Sequence, residues 1–352
     1  MSRFISGRLA AMEAYVPGEQ PRVRKYIKLN TNESPFPPSP GVIRAISTEE
    51  TSLLNLYPDP TCTALKEKLA KTYGLESKNI FISNGSDDIL NFAFLAFCDG
   101  GRGMAFSDIT YGFYPVFAEL YGIRTKVIPL NDNFELDCKS FENLGMNAVI
   151  ANPNAPTGLP VPISNLRRIL DTNRDSVIIV DEAYVDFGGE SALGLIGEYD
   201  NLLVVRTFSK SRSMAGARLG FAMADSALIS DLEKIKYSTN PYDINRLTQA
   251  AGIACLDDTD YFNSCVRKII DAREYTADQL RKRGFRLTDS IANFVFAAKP
   301  GCDGGELYEK LRQKGVLVRH FSKDRIKDYL RITVGTVEQM NGLLDAIDEI
   351  SD

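Results

Sequence analysis

Hydrophobic positions along the chain fall into short blocks whose spacing switches between the two periods of regular structure. Val177-Ile178-Ile179-Val180 and Leu202-Leu203-Val204-Val205 are apolar at every position, the pattern of strands covered on both faces. Strand-like and helix-like blocks take turns from residue 62 onward. Helices are predicted at 62–73, 89–98, 114–121 and 166–171. Strands are predicted at 79–83, 102–107, 124–128, 147–151, 176–180 and 202–207. This alternation predicts an α/β domain with a mostly parallel sheet over residues 41–240. Ahead of it, residues 1–40 read as an arm. Pro17, Pro21, Pro35, Pro37, Pro38 and Pro40 leave room for little beyond a short helix at 6–15. Behind it, Asn240-Pro241 and Gly252 read as breaks. The tail 241–352 carries a charged helix at 259–283, a strand at 293–297, a helix at 305–314, short strands and a final helix at 337–350. Arm and tail together make a smaller α+β domain.

Composition narrows the function classes. A length of 352 residues favours two domains. The balance of 41 Lys+Arg against 46 Asp+Glu, a net −5, argues against a nucleic-acid binder. The six cysteines (Cys62, Cys98, Cys138, Cys255, Cys265, Cys302) include no C-x-x-C pair, which points away from a zinc ribbon or a disulfide framework. One histidine, His320, leaves no basis for a His-rich metal site or a Ser–His–Asp triad, and no metal is expected. No apolar run reaches the ~20 residues of a membrane helix, and the first twenty residues lack the apolar core of an export signal. A cytoplasmic protein with no membrane partner is expected.

In open α/β sheets ligands gather at the carboxyl ends of the strands. Strand 79–83 runs into Asn84-Gly85-Ser86-Asp87, a polar turn opening a helix, where backbone N–H groups suit a phosphate but equally suit an ordinary cap. Strand 176–180 stops at Asp181-Glu182-Ala183-Tyr184. A carboxylate there is either an N-cap or a fixed anion holding a cation, because burying it alone is costly. Strand 202–207 leads into Phe208-Ser209-Lys210, with Arg218 eight residues on. A lysine in a cleft beside a second cation can act as an amine nucleophile. Pyridoxal phosphate needs an amine for its aldehyde, a carboxylate for its ring nitrogen and N–H, hydroxyl and guanidinium donors for its phosphate. Lys210, Asp181 and the group Ser86, Thr207, Ser209 and Arg218 match those needs in turn, with arginine suited to bidentate phosphate contacts. Tyr111 is placed to lie on the ring. The remaining aromatic positions of 111–121 read as ordinary core and helix face.

These motifs resemble known signatures. Thr207-Phe208-Ser209-Lys210 followed by Arg218 resembles the lysine signature of the aspartate-aminotransferase superfamily, the fold type I pyridoxal-phosphate enzymes. Val180-Asp181-Glu182-Ala183-Tyr184 and Asn152-Pro153-Asn154-Ala155-Pro156-Thr157-Gly158 are similar to its other two. Leu29-Asn30-Thr31-Asn32-Glu33-Ser34-Pro35, Tyr57-Pro58-Asp59, Asn293-Phe294-Val295-Phe296 and Leu330-Arg331-Ile332-Thr333-Val334-Gly335 resemble the histidinol-phosphate aminotransferase family, in order along essentially the whole chain.

The resemblance implies a mostly parallel seven-stranded sheet between helices, plus the smaller domain. It implies that Lys210 bonds the cofactor aldehyde and shuttles the substrate proton, that Asp181 pairs with the ring nitrogen, and that Tyr184 donates to the ring hydroxyl while Tyr111 stacks. Ser86, Asp87, Thr207, Ser209 and Arg218 would surround the phosphate. Tyr57 would reach the cofactor of a second subunit, implying a homodimer with shared active sites. Arg331 would hold a substrate carboxylate with help from Asn32, and Arg319 with Tyr15 would take a substrate phosphate. The family carries asparagine where this chain has Ala155, so Asn154 would have to replace it at the ring hydroxyl. His320, next to Arg319, reads as incidental. The implied reaction moves an amino group from L-histidinol phosphate, a small-molecule donor, to 2-oxoglutarate, a 2-oxo acid. Aromatic amino-acid transamination and a threonine-phosphate decarboxylase-like activity are the alternatives on the same scaffold. A cofactor-binding regulator without turnover would need a DNA-binding segment, for which the expected fold leaves no length.

Overall fold

The computed structural model describes residues 4–13, 15, 17–20, 26–98 and 101–351. A seven-stranded sheet runs in the order Ile80–Ser83, Gly220–Ala224, Leu202–Thr207, Ile178–Asp181, Asn147–Ala151, Met104–Ser107, Thr125–Ile128. Every neighbouring pair is parallel except the two that involve Gly220–Ala224. The apolar runs behave as their pattern predicts. Ile178, Val180, Leu202 and Val204 point into one buried cluster, while Ile179, Leu203 and Val205 point into another on the opposite face. Period-two alternation inside an all-apolar strand thus feeds two separate helical layers.

Register sets the site. Ala151 pairs with Asp181, and Asp181 with Val205. At the antiparallel strand, Gly220 lies opposite both Thr207 and Ser83. The chain segments after Ser83, Asp181 and Thr207 therefore leave the sheet along one edge, side by side.

A second sheet, antiparallel throughout, has the order Arg319–His320, Tyr329–Thr333, Phe294–Ala298, Arg286–Leu287. The helices Thr259–Lys282, Gly304–Gln313 and Val337–Ser351 flank it, and Leu280, Leu311, Leu343 and Ile347 fill its core. The arm joins this part. Ile27–Lys28 pairs in parallel with Val316–Leu317, and the Thr333 N–H donates to the Leu29 carbonyl at 2.9 Å. Of the short helix expected at 6–15, a single turn, Gly7–Ala10, forms, while residues 14 and 16 lie outside the described residues. Arg325 bridges the two parts, donating to Asp108 at 2.7 Å and to the carbonyls of Leu130 and Asn131 at 3.0 and 2.9 Å.

Two helices, Ser226–Thr239 and Arg246–Asp257, are absent from the sequence-based expectation. Gly252, read as a break, sits inside the second. A Cβ there would come within 2.7 Å of Leu219 and 3.2 Å of Leu65. Its role is close approach of a helix to its neighbours, and the helix absorbs the propensity cost of ~1 kcal/mol through packing. Although it lies beyond residue 240, this helix contributes Ala251, Cys255 and Leu256 to the core under the large sheet. Among the described residues, no helix is long and apolar enough to cross a membrane.

Candidate active site

A cavity of about 310 Å³ opens where the strands end. Lys210, Asp181, Tyr184, Tyr111, Ser86, Asp87, Thr207, Ser209 and Arg218 all line it. Nine of the residues singled out from sequence therefore converge, although they come from four separate chain segments.

One end of the cavity is built from donors. Gly85 adopts φ 90° and turns the chain from strand into the helix Ser86–Phe97, presenting the free N–H groups of a helix start. A Cβ at Gly220 would meet the Gly85 carbonyl carbon and the Ser86 nitrogen at 2.5 Å, and one at Gly85 would meet the Arg218 guanidinium at 2.7 Å. Both glycines are required by this close approach. Arg218 reaches Asp87 at 3.1 Å and Ser209 at 3.5 Å. Asp87 in turn accepts from the Tyr111 hydroxyl at 2.7 Å.

The middle of the cavity is anionic. Asp181 is buried at the strand end, accepting from the Tyr114 hydroxyl at 2.8 Å and from the Ala183 N–H at 3.2 Å. Burial pushes its carboxyl up to about 6 against the pull of those donors. The strand-end segments are pinned to each other by Arg206 and Glu182, both buried and 2.9 Å apart. Asp186 extends the tie, accepting from Ser211 at 2.5 Å just beyond Lys210. Lys210 itself projects into the cavity, its Nζ 3.4 Å from the Thr31 carbonyl. The Tyr184 hydroxyl accepts from the Asn32 amide at 2.9 Å.

Two arginines stand side by side on the second sheet, Arg319 opposite Arg331. Arg331 donates to the Asn30 carbonyl at 2.9 Å, and its Nε is buried with no hydrogen-bond partner among the described residues. Burial lowers its proton affinity, and Arg319 lowers it further. A buried donor of this kind is set for an anion.

The other sequence candidates sit differently. Asn32, at φ 56°, uses its side chain on Tyr184 and Thr333 and does not line the cavity. Tyr15 packs on Phe113 with ring centroids 4.2 Å apart. Tyr57 is 78% exposed, stacks on Tyr242 and lies off its own chain's cavity. Asn154 turns away, donating to the Ile109 carbonyl and Thr157 at 3.0 Å, while Ala155 forms the wall in its stead. The one-residue shift needed to bring Asn154 to the ring hydroxyl is not made. The His320 Nε2–H donates to the Lys327 carbonyl, 2.7 Å away, and the residue is not on the cavity. Three residues went unassigned in the sequence. Thr31 and Glu33 line the cavity, with Glu33 ion-paired to Lys28. Tyr114, read as plain core, reaches Asp181; it sits three residues after Tyr111, in the first turn of the helix Phe113–Tyr121. Among the described residues no cluster of His, Cys, Asp and Glu is arranged to hold a metal ion.

The donor set fits pyridoxal phosphate on its own terms: guanidinium, hydroxyls and a helix start at one end, a buried carboxylate in the middle, and an amine facing both. Comparison with known proteins bears on the same point. The profile of the family described as Aminotransferase class I and II matches residues 24–347. A histidinol-phosphate aminotransferase of Marinomonas sp. (strain MWYL1) is 48% identical over 350 residues, covering 99% of each chain. One of Clostridium acetobutylicum is 46% identical over 349 residues, again covering 99% of each. A solved structure of histidinol-phosphate aminotransferase from Sinorhizobium meliloti in complex with pyridoxal-5'-phosphate superposes with a TM-score of 0.88. It is 23% identical and covers 99% of this chain and 98% of that one.

Proposed function

The chain belongs to the class I and II aminotransferases, and within them to the histidinol-phosphate aminotransferases; from that premise we propose that it moves an amino group from L-histidinol phosphate to 2-oxoglutarate, with pyridoxal 5'-phosphate as cofactor. The observation that carries the reading is the meeting of Lys210, Asp181 and Arg218 in one cavity; Arg319 and Arg331, the latter with an unmatched buried donor, pair on the second sheet and are not among the residues that line it. When bound, the cofactor supplies an aldehyde that bonds amines and a protonated ring that draws electrons from the adjoining carbon.

The residues divide that work. Arg218, Ser209, Thr207 and the N–H groups at Ser86 and Asp87 bind the phosphate. Asp181 would pair with the ring nitrogen, and Tyr184, whose hydroxyl accepts from the Asn32 amide, would serve the ring hydroxyl. Tyr111, fixed by Asp87, covers one ring face. Lys210 would hold the aldehyde and would move the substrate's Cα proton, as general base and then as acid. Arg331 holds the α-carboxylate of glutamate and of the oxo acid, and Arg319, with Tyr15, takes the phosphate of the donor, which lacks that carboxylate. Tyr15 packs on Phe113, whose ring also meets Tyr111.

A homodimer is part of this proposal. Ile43, Leu54, Leu56 and Tyr57 are each more than half exposed, a concentration of large apolar side chains within fifteen residues that a second copy would cover. Tyr57 lies on that surface, where it can reach a neighbour's site. A cytoplasmic setting also belongs to the proposal, supported by six cysteines in the free thiol form.

Incubating the purified protein with histidinol phosphate and 2-oxoglutarate tests the reading. Glutamate should form. No glutamate with this donor, and turnover of phenylalanine in its place, would reassign the enzyme to aromatic amino acids; carbon dioxide release from threonine phosphate would reassign it to decarboxylation.

A further inference from the structure

Tyr114 is wholly buried in the helix Phe113–Tyr121, one turn beyond Tyr111, packed against Phe94 and Phe106. Its hydroxyl points out of that apolar cluster and donates to Asp181 at 2.8 Å. The Lys210 amine shares the cavity with Asp181 but makes no ion pair to it, and two acidic groups work against its charge. Asp87 and Glu182 both repel it, and the second carboxylate oxygen has a single backbone N–H, that of Ala183. No ion pair to Asp181 forms among the described residues. Among the described residues, Tyr114 is thus the one side chain that stabilises this carboxylate through a direct hydrogen bond.

We propose that Tyr114 is a positioning residue that keeps the shared proton of the bound cofactor on its ring nitrogen and off Asp181. The inference rests on the reading that Asp181 lies at that nitrogen. A proton between a carboxylate and a pyridine goes to the more basic partner. A buried carboxylate with two acidic neighbours is unusually basic, as the upward shift of Asp181 to about 6 reflects. A hydrogen bond donated to the carboxylate lowers that basicity and tilts the proton toward the ring, which must carry it to act as an electron sink. Tyr114 suits the task because burial and the adjacent Asp181 hold its own proton affinity well above that of an ordinary phenol. It remains a donor throughout and never adds a charge. Its bond to one oxygen, with Ala183 on the other, also fixes the plane of the carboxylate.

The test uses holoenzyme reconstituted with pyridoxal phosphate carrying ¹⁵N in the ring, read by nitrogen NMR. The wild-type signal should lie at the protonated-pyridine position. In Tyr114→Phe it should move toward the neutral position, and in Tyr121→Phe, a change on the same helix that removes a hydroxyl donating to Asn91 of the helix Ser86–Phe97, it should stay. A Tyr114→Phe signal at the wild-type position overturns the proposal. A wild-type signal already at the neutral position overturns the placement of Asp181 instead, so the two failures are distinct. Should Tyr114→Phe not fold, 3,5-difluorotyrosine at position 114 retains the ring and the hydroxyl while making it a stronger donor. The signal then moves further toward the protonated position, and no movement, or movement the other way, overturns the proposal.

Discussion

Asp87 and Arg218, 131 residues apart in sequence, lie 3.1 Å from each other across the mouth of the donor-lined end of the cavity. The carboxylate holds the guanidinium over the helix start, and its other oxygen takes the Tyr111 hydroxyl. A single side chain therefore couples the phosphate-binding end to the ring-covering tyrosine. Both partners of the ion pair are partly exposed, so the pair adds little stability of its own. Its effect is one of placement.

Arg218→Ala is expected to weaken retention of pyridoxal phosphate through loss of a charge-assisted bond worth about 1.5–3 kcal/mol, roughly one to two orders of magnitude in Kd. Titration of the apoenzyme with cofactor measures it. Unchanged affinity would remove Arg218 from the phosphate site.

Lys210→Ala should lower kcat by at least about 10⁴-fold, because one residue both holds the aldehyde and moves the proton. Borohydride reduction of the wild-type holoenzyme followed by peptide mapping should place the cofactor label on Lys210. A label on any other lysine would show that the amine is misassigned.

Asp88 has a carboxyl pushed up to about 6, first by burial, then by Asp243 and Asp87, against Arg218 and Lys236. The folded state therefore binds this proton more tightly than the unfolded chain, and stability contributed here falls as pH rises from about 4 to 6. Asp88→Asn should raise the melting temperature of the apoprotein at pH 8, by the equivalent of about 1 kcal/mol after allowance for partial exposure. The gain should vanish near pH 4. Thermal scans at the two pH values check it, and an equal gain at both would assign the effect to something other than titration.

The Arg206–Glu182 pair is buried on both sides. Arg206→Ala leaves Glu182 unpaired and should cost about 3–5 kcal/mol in urea unfolding. Replacing both partners with apolar residues should cost less than that single change. A double variant no more stable than Arg206→Ala would show that the ion pair is not what strands these segments together.

Leu56→Asp, on the exposed apolar surface around Tyr57, should convert a dimer to monomers in sedimentation at micromolar concentration. It should also loosen cofactor binding, since Tyr57 would then lose its neighbour. A wild-type protein that sediments as a monomer ends this part of the proposal.

Much of the site was legible because its residues sit in register at strand ends, and strand ends can be read from apolar runs such as 177–180 and 202–205. Lys210, Asp181 and Arg218 each follow such a run or the turn after it. What the sequence hid was of another kind. Gly252 carried the local mark of a breaker, yet its environment, Leu65 and Leu219, made it a contact point inside a helix. Tyr114 looked like core because its ring is core; its hydroxyl alone is functional, and the partner lies 67 residues away. Asn154 matched the motif by type, but local bonds to Ile109 and Thr157 hold it elsewhere. Tertiary partners decide such cases, and single-residue patterns do not encode them.

The arm strand Ile27–Lys28 is hydrogen-bonded into the C-terminal half beside Val316–Leu317, while Thr31 and Glu33, a few residues on, form part of the cavity wall. Seven consecutive residues are therefore anchored in one half of the molecule and face the chemistry assembled by the other. Any rigid swing of the antiparallel half must drag this wall with it, widening or narrowing the entrance as it goes. The tie is redundant: beyond the short strand, the carbonyls of Leu29, Asn30 and Asn32 accept from Thr333, Arg331 and Asn293 of that same half, so a single nick between residues 28 and 31 would leave the wall fastened to it.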